Sequence, residues 1–80
     1  MMKKLSSEEL KEQLKERKEG SLLPLREILV ENADLSGWNM DHVDFSLSTF
    51  RNVCFDGASL KGSAIENSLF DQCTFRKTCF

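Results

Sequence analysis

The residues that could do chemistry are few, and their spacing does not bring them together. His42 is the only histidine, and no second histidine or close carboxylate–cysteine group joins it to make a metal-ligand set. Cys54, Cys73 and Cys79 lack metal-ligand spacing. An odd number of such cysteines points to reduced thiols in a cytoplasm, with specialised secretion left open. Gly37, Gly57 and Gly62 recur without the Lys-Ser/Thr partner of a phosphate loop. The carboxylates are spread along the chain instead of gathered as a general acid and base. These residues predict no enzyme, no metal and no cofactor.

Composition narrows the classes further. The chain has 80 residues and a formal net charge of −2, which gives none of the basic footprint that nucleic acid requires. No apolar run approaches the roughly 18–20 residues of a membrane span. Lys3 and Lys4 are followed by a Lys/Glu-rich stretch and not by the apolar core of a signal peptide.

What must position the side chains is read from periodicity. Residues 6–19 predict a helix in which Ser6 caps and Glu9, three residues on, completes a capping box. Gly20 would supply its left-handed stop. Its apolar stripe, Leu10 and Leu14 with Leu5 before the cap, is thin, so the helix is expected to lie over one end of the rest. Pro24 marks a junction at 21–27. Residues 1–27 therefore read as a helix and junction, and 28–80 as a second unit with its own rule. From Val30 to Phe80 the large apolar residues return every fifth position, and all six phenylalanines fall in that phase. The positions two before each are small or β-branched except Trp38, and none is charged. A period of five fits neither a helix nor an ordinary strand. Two inward positions in five, one large and one small, describe a solenoid.

Ala33-Asp34-Leu35-Ser36-Gly37, Ala58-Ser59-Leu60-Lys61-Gly62 and the Phe-centred Val43-Asp44-Phe45-Ser46-Leu47 resemble the pentapeptide-repeat family, whose members repeat A(D/N)LXX. The resemblance covers residues 33–80. It implies a mainly β fold, a right-handed four-sided β-helix with four repeats per coil, here about two and a half coils preceded by the N-terminal α-helix. Trp38 departs from the pattern, being too bulky for the small inward site, and is expected at the first coil's edge.

Four repeats per coil would stack residues twenty apart at the ~4.8 Å spacing of strands. Asp41 then meets Lys61, Asp56 meets Arg76, Glu31, Arg51 and Asp71 alternate in sign, and Asn32, Asn52 and Gln72 form an amide ladder. The same stacking puts Leu29, Thr49 and Leu69 in one outward row with Leu47 at the adjoining corner, a candidate partner surface unless Leu10 and Leu14 cover it. Phe75, Cys79 and Phe80 end the repeats without a polar cap, a candidate end-to-end contact with a second copy; truncation or a continuing partner chain would explain them equally. The expected role is a bacterial, cytoplasmic protein–protein interaction or scaffold module. One alternative comes from the resemblance, a DNA mimic modulating DNA gyrase or topoisomerase; the other is an effector or phage accessory docking on a host protein. B-DNA carries one charge per ~1.7 Å, and the alternating rows are too weakly negative to match it.

Overall fold

A computed structural model describes residues 2–80 as a mainly β chain with one short helix. In order the elements are β1 (Lys3–Lys4), α1 (Ser7–Leu14), β2 (Leu23–Pro24), β3 (Ile28–Asp34), β4 (Val43–Asp44), β5 (Thr49–Cys54) and β6 (Leu69–Asp71). All pairings are parallel, in a sheet of order β1-β3-β5-β6 and a second of order β2-β4. The molecule measures 31 × 31 × 24 Å.

The twenty-residue register expected of four repeats per coil is the register of β2 to β6. Val30 pairs with Phe50 and Phe50 with Phe70, Asn39 with Ser59, and Asp44 with Ala64. Each layer of twenty residues therefore lies on the next with every side chain beside its counterpart. Within each layer the chain bends by a fixed device: from Glu27 to Lys77 every fifth residue has φ between 52° and 74°. A positive φ at the second central residue is what a type II turn requires. The matching bond is present, from Trp38 N–H to the Leu35 carbonyl (3.2 Å) and from Ala58 N–H to that of Phe55 (3.0 Å). The period of five is thus the interval between obligatory left-handed residues.

The large inward residues form a continuous core. Phe45, Phe50 and Phe55 are buried with Leu35, Met40, Val43, Val53 and Leu60. Two aromatic columns run through the layers, Phe50 flat on Phe70 (5.1 Å, 6°) and Phe55 flat on Phe75 (5.0 Å, 2°), with edge-to-face contacts between columns. Flat stacking is not the best aromatic geometry by itself. The strand register places the rings in line.

Two boundaries differ from those read in the sequence. The register of twenty begins at Leu23 and not at Ile28: Leu23 pairs with Val43 and Pro24 with Asp44. Pro24 is tolerated because alternate residues donate. The N–H groups of Leu23, Leu25 and Glu27 bond to His42, Asp44 and Ser46, and a proline between them, on an edge strand, forfeits nothing. The helix ends at Leu14 with Lys15 as its C-cap, well before Gly20. Its start is as expected, Ser6 Oγ accepting the Glu9 N–H (3.1 Å) while Glu9 Oε1 accepts that of Ser6 (3.0 Å). Its end is fixed by Arg17, whose Nε donates to the Leu14 carbonyl (3.0 Å) and whose Nη1 donates to Asn39 Oδ1 and the Asp41 carbonyl (both 3.1 Å). Leu5, Leu10 and Leu14 are all buried in the common core, and β1 pairs with β3 on the side where no earlier layer exists. The N-terminal segment closes the first layer.

Candidate interaction surfaces

The polar groups inside the layers are connected in a way that sequence reasoning passed over. Ser63 Oγ donates to the Met40 carbonyl (2.7 Å), Ser68 Oγ to Phe45 (2.8 Å) and Thr78 Oγ1 to Phe55 (2.7 Å), each twenty-three residues back. Cys73 Sγ does the same to Phe50 at 3.3 Å. Ser48 Oγ reaches the Leu25 carbonyl (3.4 Å) and accepts the Ile28 N–H (3.2 Å). Each hydroxyl or thiol in the small inward row thus meets a carbonyl one layer earlier, as buried polar groups must be satisfied. The signal was present as Ser and Thr in a row that asks only for small size.

The carboxylates are used in the same structural manner. Asp34 Oδ1 accepts the Ser36 N–H and Asp44 Oδ1 that of Ser46, both at 3.0 Å. Two of the expected ion ladders turn out to be backbone contacts: Asp41 Oδ1 accepts the Lys61 N–H (2.9 Å) and the Ser59 hydroxyl, and Asp56 Oδ1 accepts the Arg76 N–H (3.0 Å). A short aspartate reaches the next layer's amide more easily than its flexible cation. In the third ladder Arg51 Nε faces Asp71 at 4.0 Å, while Glu31 meets Lys4 Nζ of β1 at 3.4 Å. The amide ladder is made at Asn52 Nδ2 to Asn32 Oδ1, 2.8 Å.

Hydrogen bonds hold these carboxyls below their ordinary value of 3.8: those from Ser36 for Asp34, from Ser59 above all for Asp41, from Ser46 for Asp44, and from the Arg76 amide for Asp56. A general acid would need the opposite shift. Depressed folded values add stability that is complete above the unfolded pKa and lost as pH falls through the folded pKa. Urea unfolding followed by circular dichroism should therefore give a constant midpoint from about pH 7 to 5. Below about pH 4 the midpoint should fall progressively; an unchanged midpoint at about pH 3 contradicts this account.

The remaining reactive groups stay apart. His42 is exposed, its ring lying over Gly62, where an added Cβ would come within 2.8 Å of Nδ1. Cys54 and Cys73 are half-buried and Cys79 is exposed, all as free thiols, and burial pushes the Cys73 thiol up. Among the described residues no three His, Cys, Asp or Glu side chains gather to hold a metal. Nor, among them, is any helix long and apolar enough to cross a membrane.

The predicted outward row is assembled, with one change. Leu29, Thr49 and Leu69 pair in register, and Leu69 is 52 % exposed and Leu47 37 %. Thr49 is only 6 % exposed, so it is a buried member of the row and not a contact residue. Leu10 and Leu14 lie in the core, which leaves Leu47 and Leu69 exposed. Leu47 holds φ at 62°, a conformation that costs a side-chain-bearing residue roughly 1–2 kcal/mol. At the last layer Ile65, Phe70 and Phe75 are half-buried, unlike the closed rings of the layer before, and Phe80 is 64 % exposed against the Phe75 ring.

Compared with known families, residues 31–64 match pentapeptide repeats in eight copies. That segment holds the five-residue bends and the twenty-residue pairing just described. Residues 31–64 belong to the pentapeptide-repeat family. The repeat geometry runs beyond the match on both sides, back to Leu23 and on to the Ser59–Cys79 pairing. No curated protein and no solved structure matches the chain.

Proposed function

We propose that the chain is a non-enzymatic interaction module, its pentapeptide repeats wound as a right-handed four-sided β-helix that presents a rigid outer face to another protein. The observation that carries this reading is Leu47 with Leu69. Two leucines stand outward on successive turns of the repeat, among the few exposed large apolar side chains, and one of them sits at a bend where glycine or asparagine would cost less. Structure kept at a local cost, on a face the core does not use, is what a contact site asks for. The depressed carboxyls and the isolated His42 support a role without catalysis. Rows of mixed sign, such as Arg51 with Asp71 and Arg26 with Asp44 (3.8 Å), weigh against a duplex mimic acting on gyrase.

The test is a double substitution, Leu47→Asp with Leu69→Asp, assayed by titration against a partner purified from the native host. Both side chains are outward, so circular dichroism and urea stability should be retained while affinity falls at least tenfold. Undiminished binding of that partner by the double variant removes the leucine row from the function.

The half-buried Phe70 and Phe75 and exposed Phe80 support a second contact, with another copy meeting this end about a two-fold axis. Sedimentation at low micromolar concentration should give twice the 9.2 kDa of the chain, and Phe80→Asp should return it to the monomer. A wild-type monomer under those conditions excludes this contact.

A further inference from the structure

Trp38 is the residue the repeat does not explain. It occupies the small inward row with Ala58 and Thr78 twenty and forty residues on, yet it is only half-buried and packs against the core from its margin. There it forms one wall of a groove of about 360 Å³ whose other sides are Lys11, Leu14, Lys15, Arg17 and Asn39. The apolar part of its lining is Trp38 and Leu14. Its rim carries three cations and no carboxylate, on a chain whose net charge is −2.

The cations differ in what they have free. Arg17 is held by three hydrogen bonds through Nε and Nη1 to Leu14, Asn39 and Asp41, and its Nη2 donors enter no described bond. Lys11 forms no ion pair among the described residues, and Lys15 meets only Glu12 at 3.3 Å, both side chains well exposed, a contact worth little in water. A guanidinium fixed in place with donors to spare is pre-organised for a carboxylate. The adjoining depression beyond Arg17 brings in Glu19 and Asp41, so the purely basic strip stops where the groove stops.

The geometry points to a docking groove for a short acidic protein segment carrying one large apolar side chain. The apolar side chain would lie on the indole and Leu14, and flanking carboxylates would meet Lys11, Lys15 and the free edge of Arg17. A volume of about 360 Å³ is at the small end of binding clefts and suits one side chain with its neighbours. This surface is separate from the leucine row and from the last layer, so its test bears on neither.

The chain contains one tryptophan, so its emission reports directly on the groove. The probe is the capped peptide Ac-EDFEES-NH2, titrated into the full chain at low salt, with Ac-KKFKKS-NH2 as the charge-reversed control. Expected is a saturable change in Trp38 emission for the acidic peptide only, weakened at least threefold between about 20 and 200 mM salt, as screening demands. Lys11→Glu with Lys15→Glu should weaken binding at least tenfold; if that variant does not fold, Lys11→Gln with Lys15→Gln serves, with a loss of at least threefold. The proposal is overturned by no saturable response, by an equal response to the lysine peptide, or by full binding in a folded double variant.

Discussion

Phe50→Ala should unfold the chain or come close to it. Phe50 is 1 % exposed, lies flat on Phe70, and meets Phe45 and Phe55 edge-on at 5.5 and 5.4 Å. Removing a buried phenyl ring costs about 3–5 kcal/mol in transfer and cavity terms. The loss belongs at the upper part of that range, since parallel strands fixed by the twenty-residue register cannot close over the void. A chain of this size has little in reserve, roughly 5 kcal/mol at the lower end for natural domains. The companion is Phe80→Ala, where one tilted contact and a largely exposed ring predict a loss of under about 1 kcal/mol. Urea melts of the two should differ by at least about 2 kcal/mol. A cost under about 1 kcal/mol for Phe50→Ala would mean that the aromatic columns do not hold the layers together.

The second large effect concerns the helix. Leu10→Ala should cost about 2–5 kcal/mol and lower a single cooperative transition for the whole chain, because Leu10 is fully buried and shares its core with Leu25, Val30 and Leu35. A helix of eight residues is not stable by itself in water, so α1 exists by virtue of that burial. The first layer in turn depends on α1 to cover its apolar edge, as terminal repeats generally require. If α1 were instead a loosely attached peptide, the same substitution would change global stability by less than about 0.5 kcal/mol and would melt the helical signal alone. Following the helical and the aromatic circular dichroism together distinguishes the two.

The inward row was legible because its requirement is crude: a large apolar side chain every fifth residue, with no competing period. The twenty-residue stack was legible from charge alternation, although two of its three ladders proved to run through the backbone. Aspartate type and spacing are the same for either partner, so sequence could not separate them. The start at Leu23 was hidden by Pro24, which is a breaker only where an N–H is needed. The helix end was misplaced for a related reason. Gly20 has the left-handed φ of a helix stop, but it serves a later turn, and the true stop is set by Arg17 bonding to residues twenty-two and twenty-four positions ahead. Such long-range partners leave no periodic trace. Of the candidate surface, Leu47 and Leu69 could be placed from the repeat alone. The burial of Thr49 could not, because it depends on side chains one layer above and one below.

The bonds that reach back twenty-three residues set the unit in which this chain can change length. Inserting one residue would turn every later side chain out of phase with the bends. Inserting five would restore large and small residues to the inside, yet carry each following segment onto the next side. Asn52 would leave Asn32, and Arg51 would leave Asp71. Only a block of twenty returns every hydroxyl to a carbonyl and every charge to its row. Copying or deleting whole layers is therefore the gentle route for this fold to grow or shrink, and shorter insertions are admitted where they can bulge outward at a bend.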